Sequence, residues 1–263
     1  MTSPDLVNTS LFHTSEGSGD PVVMLPSLGS THRMWDPQVP ALASDHEVIR
    51  LDLRGHGDSA VTPGPYRMTD LADDVVAVLD ARGLASVHVV GLSLGGMVGL
   101  QLAVDHPQRV RSLALMCTSA RLGPRDAWID RAAIVRAHGT TAVARSVVGR
   151  WLTPDYAAAH PDETDAFLRM VADTPAEGYA SSCEAIADHD LVAQLARVAA
   201  PTLAIAGRDD PAIPLEHLQA IADAVPDADY LEVAPAAHLA NWERATDVNA
   251  ALRTHLAGVR SEP

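Results

Sequence analysis

Six short apolar runs punctuate the chain: PVVMLP (21 to 26), HEVIRLD (46 to 52), SVHVVGL (86 to 92), RSLALMC (111 to 117), PTLAIAG (201 to 207) and ADYLEVA (228 to 234). Each is too short for a free-standing helix. They are rich in β-branched residues and apolar along most of their length, the pattern of strands buried on both faces. Helix-patterned segments lie between several of them. One is TDLADDVVAVLDARG (69 to 83), where Thr69 or Asp70 can cap the start and Gly83 the end. This alternation predicts an α/β fold with a mostly parallel central sheet flanked by helices. A hydrophobic content of 47% over 263 residues is enough to bury one large core.

The alternation stops between Ser119 and Ala199, where helical periodicity runs on with little strand character. The spacing predicts an inserted helical cap over 119–199, carried by a core made of 1–118 and 200–263. Its expected helices are WIDRAAIVRAHG, TTAVARSVVGRWL, DETDAFLRMVAD and SCEAIADHDLVAQL, with Gly139, Pro154, Pro161 and Pro175 as breaks.

Charge and composition remove several function classes. The formal charge is −15, and all 19 basic residues are arginines. Such a balance argues against nucleic acid as a partner, and the absence of lysine excludes Schiff-base chemistry and a phosphate-loop lysine. An anionic substrate would meet a repulsive overall field and would need a local arginine. There is no apolar run of about 18 residues, and MTSPDLVNTS lacks the basic start and apolar middle of an export signal. No membrane association and a cytoplasmic location are therefore expected. Cys117 and Cys183 stand far apart, outside any C-x-x-C spacing, so neither a disulfide framework nor a metal centre is expected.

The residues that carry chemistry begin at Gly91-Leu92-Ser93-Leu94-Gly95, a G-x-S-x-G pattern set between the strand run SVHVV and the helical run GMVGLQLAVDH. In a nucleophile elbow a tight strand-to-helix turn lifts the serine hydroxyl clear of the sheet, and small neighbours are needed for the turn to close. An acid and then a histidine should follow in chain order. After PTLAIAG come Asp209 and Asp210, and after DYLEVA comes a loop with His238. Asp210 directly precedes Pro211, which favours an extended backbone, so Asp210 is preferred over Asp209 as the acid that orients the His238 imidazole. The backbone N–H of Leu94 and that of Leu28, in the loop LPSLGSTHRMW, are the expected oxyanion donors. Of the other histidines, His13, His46, His106, His138, His160, His217 and His255 read as surface residues. The glycine-rich segment Asp52 to Ser59 lacks G-x-G-x-x-G and reads as a structural turn.

G-x-S-x-G, the segment LDLRGHGDS and the order Ser93, Asp210, His238 together resemble the α/β-hydrolase superfamily. More narrowly, LPSLGSTHRMWDPQVPAL, GLSLGGMVGLQLAVDHPQRVRSLALMCTSARLGP, RWLTP, GYASSCEAIADHDL, IAGRDDPAIP and AAHLANWE resemble 3-oxoadipate enol-lactonases, as does Pro26-Ser27 where many relatives have a His-Gly pair. The resemblance implies the α/β-hydrolase fold, no cofactor, and a small-molecule substrate: an anionic lactone whose carbonyl Ser93 attacks. The substrate carboxylate would need a cation, for which Arg121 and Arg125 are the candidates, with Trp128 and Trp151, beside Met170 and Tyr179, as pocket lining. The competing readings are a carboxylesterase or carbon–carbon bond hydrolase with the same triad, and a non-catalytic small-molecule receptor. A dehalogenase is disfavoured, because those relatives carry aspartate where this chain has Ser93.

Overall fold

The computed structural model describes residues 11–259. The N-terminal segment 1–10, on which the export reading rests, and 260–263 lie outside the described residues. Seven strands form one sheet: β1 (His13–Gly17), β2 (Asp20–Leu25), β3 (His46–Leu51), β4 (Val87–Leu92), β5 (Val110–Met116), β6 (Thr202–Gly207) and β7 (Ala228–Val233). Their order across the sheet is β1-β3-β2-β4-β5-β6-β7. All neighbours are parallel except β1, which pairs antiparallel with β3. The six expected strands are all present. β1 goes unread in the sequence because HTSEG is an edge strand without an apolar residue, held by backbone pairing and by polar side-chain bonds to β3, Ser15 to Glu47 and Arg50 to Glu16.

The core helices are α1 (Val39–Leu42), α2 (Met68–Ala81), α3 (Leu94–Asp105), α9 (Glu216–Ala224), α10 (Ala240–Glu243) and α11 (Ala245–Gly258). α3 is buried on nearly every face, which is why its sequence is apolar all round. α2 starts one residue before the expected segment. Arg67 is its N-cap, and the Asp70 side chain reaches back to the Arg67 N–H at 3.0 Å in a capping box.

Between β5 and β6 the chain forms the cap helices α4 (Arg125–His138), α5 (Thr141–Trp151), α6 (Pro154–Ala159), α7 (Pro161–Ala172) and α8 (Ala176–Asp188). α4 packs along α8, and α5 packs on α7. The expected last helix, 182 to 195, is corrected. α8 begins earlier, after Pro175, and ends at Asp188, because His189 is extended and the Leu191 N–H is drawn to the Ala120 carbonyl at 2.9 Å. The surface assignment of His46 and His255 is also corrected: both are half-buried, with His46 Nδ1 and His255 Nε2 sealed from solvent. No helix among the described residues is long and apolar enough to cross a membrane.

The loops after β4, β6 and β7 all leave the same, C-terminal edge of the parallel strands, the edge where open α/β sheets place their ligands. Those three loops carry Ser93, Asp210 and His238.

Candidate active site

Ser93 sits between β4 and α3 with φ 56° and ψ −116°, a left-handed conformation that an L-residue adopts only under constraint. The constraint is visible on both sides of the turn. Its N–H donates to the Met116 carbonyl at 2.9 Å and its carbonyl accepts from Thr118 Oγ1 at 2.7 Å. A Cβ on Gly91 would lie 2.3 Å from the Gly95 oxygen, and one on Gly95 would lie 2.0 Å from the Leu25 oxygen, so the crossing requires both glycines. Leu94 is the first residue of α3, where backbone N–H groups have no intrahelical acceptor and favour negative charge.

His238 Nδ1 is 2.7 Å from Asp210 Oδ2, with both side chains buried. The other Asp210 oxygen accepts from the N–H groups of Ala212 at 2.8 Å and Ile213 at 3.1 Å. A carboxylate held by three donors has one orientation, and it directs Nδ1–H toward itself, leaving Nε2 as the acceptor. Asp209 is exposed, and its Oδ2 accepts instead from the Ala236 N–H at 3.2 Å. The fold also brings Cys117 close, so that its sulfur and the Asp210 and His238 donor atoms lie within 4.8 Å of one another. Burial, and then the Asp210 charge, push the Cys117 thiol well up. The trio is therefore an acid–imidazole pair over a neutral thiol, an arrangement that spacing along the sequence cannot reveal.

Leu28 lies in a tight turn in which Ser30 N and Ser30 Oγ both donate to the Ser27 carbonyl, at 3.1 and 2.7 Å. Gly29 follows at φ 77°, and a side chain there would meet the Tyr179 ring. The Asp52 to Ser59 turn holds this loop from below. Asp52 Oδ1 accepts from the His32 backbone N–H at 2.6 Å and lies 2.9 Å from His32 Nδ1. Burial alone would raise the Asp52 carboxyl, but its hydrogen bonds from His32 and Asp58 hold it below the usual range.

Ser93, His238, Leu28 and Ser27 share a small cavity of about 70 Å³ with Trp128, Arg131, Val147, Arg150, Trp151 and Tyr179 from the cap. A more open cavity of about 380 Å³ adjoins it and shares Leu122, Trp128, Arg131, Arg150 and Ala212. Of the expected lining residues, Trp128, Trp151 and Tyr179 border the inner cavity, while Met170 packs against the core.

Arg121 and Arg125 are corrected. Arg121 is 66% exposed and 3.4 Å from Asp190, and Arg125 is 57% exposed and 2.7 Å from Asp188. Both turn outward because the acidic segment that ends α8 attracts them. The arginines at the cavity are Arg131 of α4 and Arg150 of α5. Neither has a carboxylate partner among the described residues. The Arg131 guanidinium lies 5.3 Å from the Trp128 ring centre and 5.7 Å from that of Tyr179. Burial, and then the Arg131 charge, lower the Arg150 pKa. The Tyr179 hydroxyl is buried without a hydrogen-bond partner among the described residues. The sequence does hold a signal for the pair. Arg131 stands three residues after Trp128, on one helix face, and Arg150 directly precedes Trp151.

The family model for the alpha/beta hydrolase fold matches residues 20–245. The chain is 36% identical over 226 residues to 3-oxoadipate enol-lactonase 2 of Acinetobacter baylyi, covering 86% of this chain and 84% of that one. It is 33% identical to a protein of Azorhizobium caulinodans that carries the provisional name carbamate hydrolase RutD, over 87% of this chain and 88% of that one. The crystal structure of the enol-lactonase from Burkholderia xenovorans LB400 superposes with a TM-score of 0.93 at 35% identity, covering 95% of this chain and 98% of that one. With its seven-stranded sheet, helical cap and strand-end loops, this chain belongs to the alpha/beta hydrolase fold family.

Proposed function

We propose that this hydrolase opens a small enol-lactone that bears a free carboxylate, 3-oxoadipate enol-lactone being the substrate that fits best. The observation that carries the reading is the pairing, in one cavity, of the Ser93 elbow and the His238–Asp210 pair with two arginines that have no carboxylate partner among the described residues. Relatives named as enol-lactonases support it at 34 to 36% identity. Two unneutralised guanidiniums beside each other are mutually repulsive, and a ligand carboxylate relieves that repulsion. The inner cavity of about 70 Å³ is smaller than such a lactone, which would extend into the adjoining cavity of about 380 Å³ that shares Arg131 and Arg150.

In the proposed reaction His238 Nε2 takes the Ser93 Oγ proton as Oγ attacks the lactone carbonyl carbon. The resulting oxyanion is held by the N–H groups of Leu28 and Leu94. Collapse breaks the bond from the acyl carbon to the ring oxygen. The leaving enolate receives the proton from His238 and tautomerises to the ketone, which makes ring opening hard to reverse. Water then loses a proton to His238 and attacks the acyl-serine. Ser93 Oγ departs with that proton, and 3-oxoadipate is released. Asp210 stabilises the imidazolium in both halves. Arg131 and Arg150 hold the carboxylate, and Trp128 and Trp151 exclude water. In this reading 119–199 is the cap over a core made of 1–118 and 200–263, and the two free, buried thiols fit a cytoplasmic setting.

The test compares the parent with Ser93→Ala on the enol-lactone. Turnover is expected to fall by a factor of at least about 10³ in the variant, with folding retained. Equal turnover would remove the serine mechanism. Serine-dependent turnover of a carbamate or a neutral ester in place of the lactone would keep the mechanism and replace the substrate.

A further inference from the structure

The motif AAHLANWE contributes more than His238. Asn241 Nδ2 and Trp242 Nε1 both donate to the Met34 carbonyl, at 2.7 and 2.6 Å. The Met34 sulfur in turn lies 3.0 Å from the Ser27 N–H, at the start of the turn that holds Leu28. This side of the motif fixes the imidazole loop to the core.

Glu243 faces the other way. Its Oε1 accepts from the Ala237 N–H at 3.1 Å and from the Thr153 N–H at 3.0 Å, and its Oε2 accepts from Thr153 Oγ1 at 2.6 Å. On the far side of the imidazole, the Leu239 N–H donates to the Trp151 carbonyl at 2.8 Å. The residues immediately before and after His238 are thus both bonded to Trp151–Thr153, the junction of α5 and α6 in the cap. One of those links is direct and the other runs through a single carboxylate. Arg150 and Trp151, which border the cavity, belong to that same stretch of chain.

We infer that Glu243 is a positioning residue that ties the His238 loop to the cap, so that the imidazole is aligned only when the cap is seated on the core. The inference rests on the reading of His238 as the general base. A carboxylate suits the position because it can accept from two backbone N–H groups and a hydroxyl at once. Glutamine keeps the two backbone bonds through its amide oxygen, and its NH₂ can donate to the Thr153 hydroxyl. Alanine removes all three. Misplacing a catalytic group by about 1 Å can cost on the order of 100-fold in rate.

Steady-state kinetics on the enol-lactone should therefore show kcat falling roughly 10- to 100-fold in Glu243→Ala, with KM within about threefold of the parent. Glu243→Gln should restore kcat to within about threefold. Parent kcat in Glu243→Ala, whatever its melting temperature, overturns the inference and leaves Glu243 a stabilising contact. A rise in KM with unchanged kcat overturns it too. If Glu243→Ala does not fold, Thr153→Val decides. It removes the hydroxyl link to Glu243 together with the 3.4 Å bond that Thr153 Oγ1 accepts from the Tyr156 N–H at the start of α6, and a several-fold loss in kcat with KM unchanged supports the coupling where none contradicts it. Ser93→Ala is run alongside: turnover in that variant defeats the serine reading itself, whereas an inactive Ser93→Ala beside a parent-like Glu243→Ala defeats only the coupling.

Discussion

Asp209 and Asp210 are adjacent carboxylates in one loop, and only the geometry separates them. The Asp210 side chain is buried against the imidazole with three donors around it, while Asp209 is exposed and bonds to the Ala236 N–H. Asp210→Asn is expected to lower kcat by about 10³- to 10⁴-fold, since the amide no longer enforces the Nδ1–H tautomer. Asp209→Asn should stay within about threefold, since the asparagine amide oxygen can still accept from the Ala236 N–H. Kinetics on the two variants check this, and the reverse ranking would move the acid by one residue. In the sequence only the local backbone restriction that Pro211 places on Asp210 distinguished the two. The pocket arginines had only their nearness to Trp128 and Trp151 as a signal, and Arg125 stands as close to Trp128 as Arg131 does. Arg121, Arg125, Arg131 and Arg150 are all cap arginines, and which of them faces inward depends on how α4, α5 and α8 pack.

At the level of elements, the strands were readable because each is short, apolar and bounded by turns, and burial in a covered parallel sheet demands that. β1 was not, because edge pairing requires no apolar side chain. Helix ends in the cap shifted where tertiary bonds intervened, as at His189. The placement of Arg131 on α4 and Arg150 on α5 leads to a specific expectation. Arg131→Met or Arg150→Met should raise KM for an anionic lactone about tenfold or more while leaving a neutral ester within about twofold, the loss of one charge-assisted pair being worth about 1.5–3 kcal/mol. Arg121→Met and Arg125→Met should alter neither, since those side chains answer to Asp190 and Asp188 on the outer surface. Equal effects on both substrates would sink the carboxylate clamp.

Over the whole molecule, buried neutral histidines link stability to pH. Burial pushes His189 down to about 4, against the opposing charge of Asp190. Burial, and then the charges of Arg111 and His46, do the same for His88. For these bases the folded pKa lies below the unfolded value, so the unfolded chain binds more protons between about pH 4 and 6.5. Their contribution to stability is complete above that window and is lost as pH falls through it. His189 alone should account for about 2 kcal/mol between pH 7 and pH 5. Urea unfolding at the two pH values is expected to show parent stability dropping, with His189→Leu recovering about that amount; identical drops in both would contradict it. The molecule as a whole carries a formal charge of −15, yet the cavity that holds Ser93 and His238 presents two arginines without a carboxylate partner among the described residues. That local inversion of sign is the central physical argument for an anionic substrate. Its most direct test is the ratio of kcat/KM for 3-oxoadipate enol-lactone to that for a neutral p-nitrophenyl ester, measured on the purified protein with Ser93→Ala as the blank. A serine-dependent ratio of at least about 100 is expected, equivalent to about 2.7 kcal/mol of discrimination. A ratio near one, or one favouring the ester, would contradict the anionic-substrate reading.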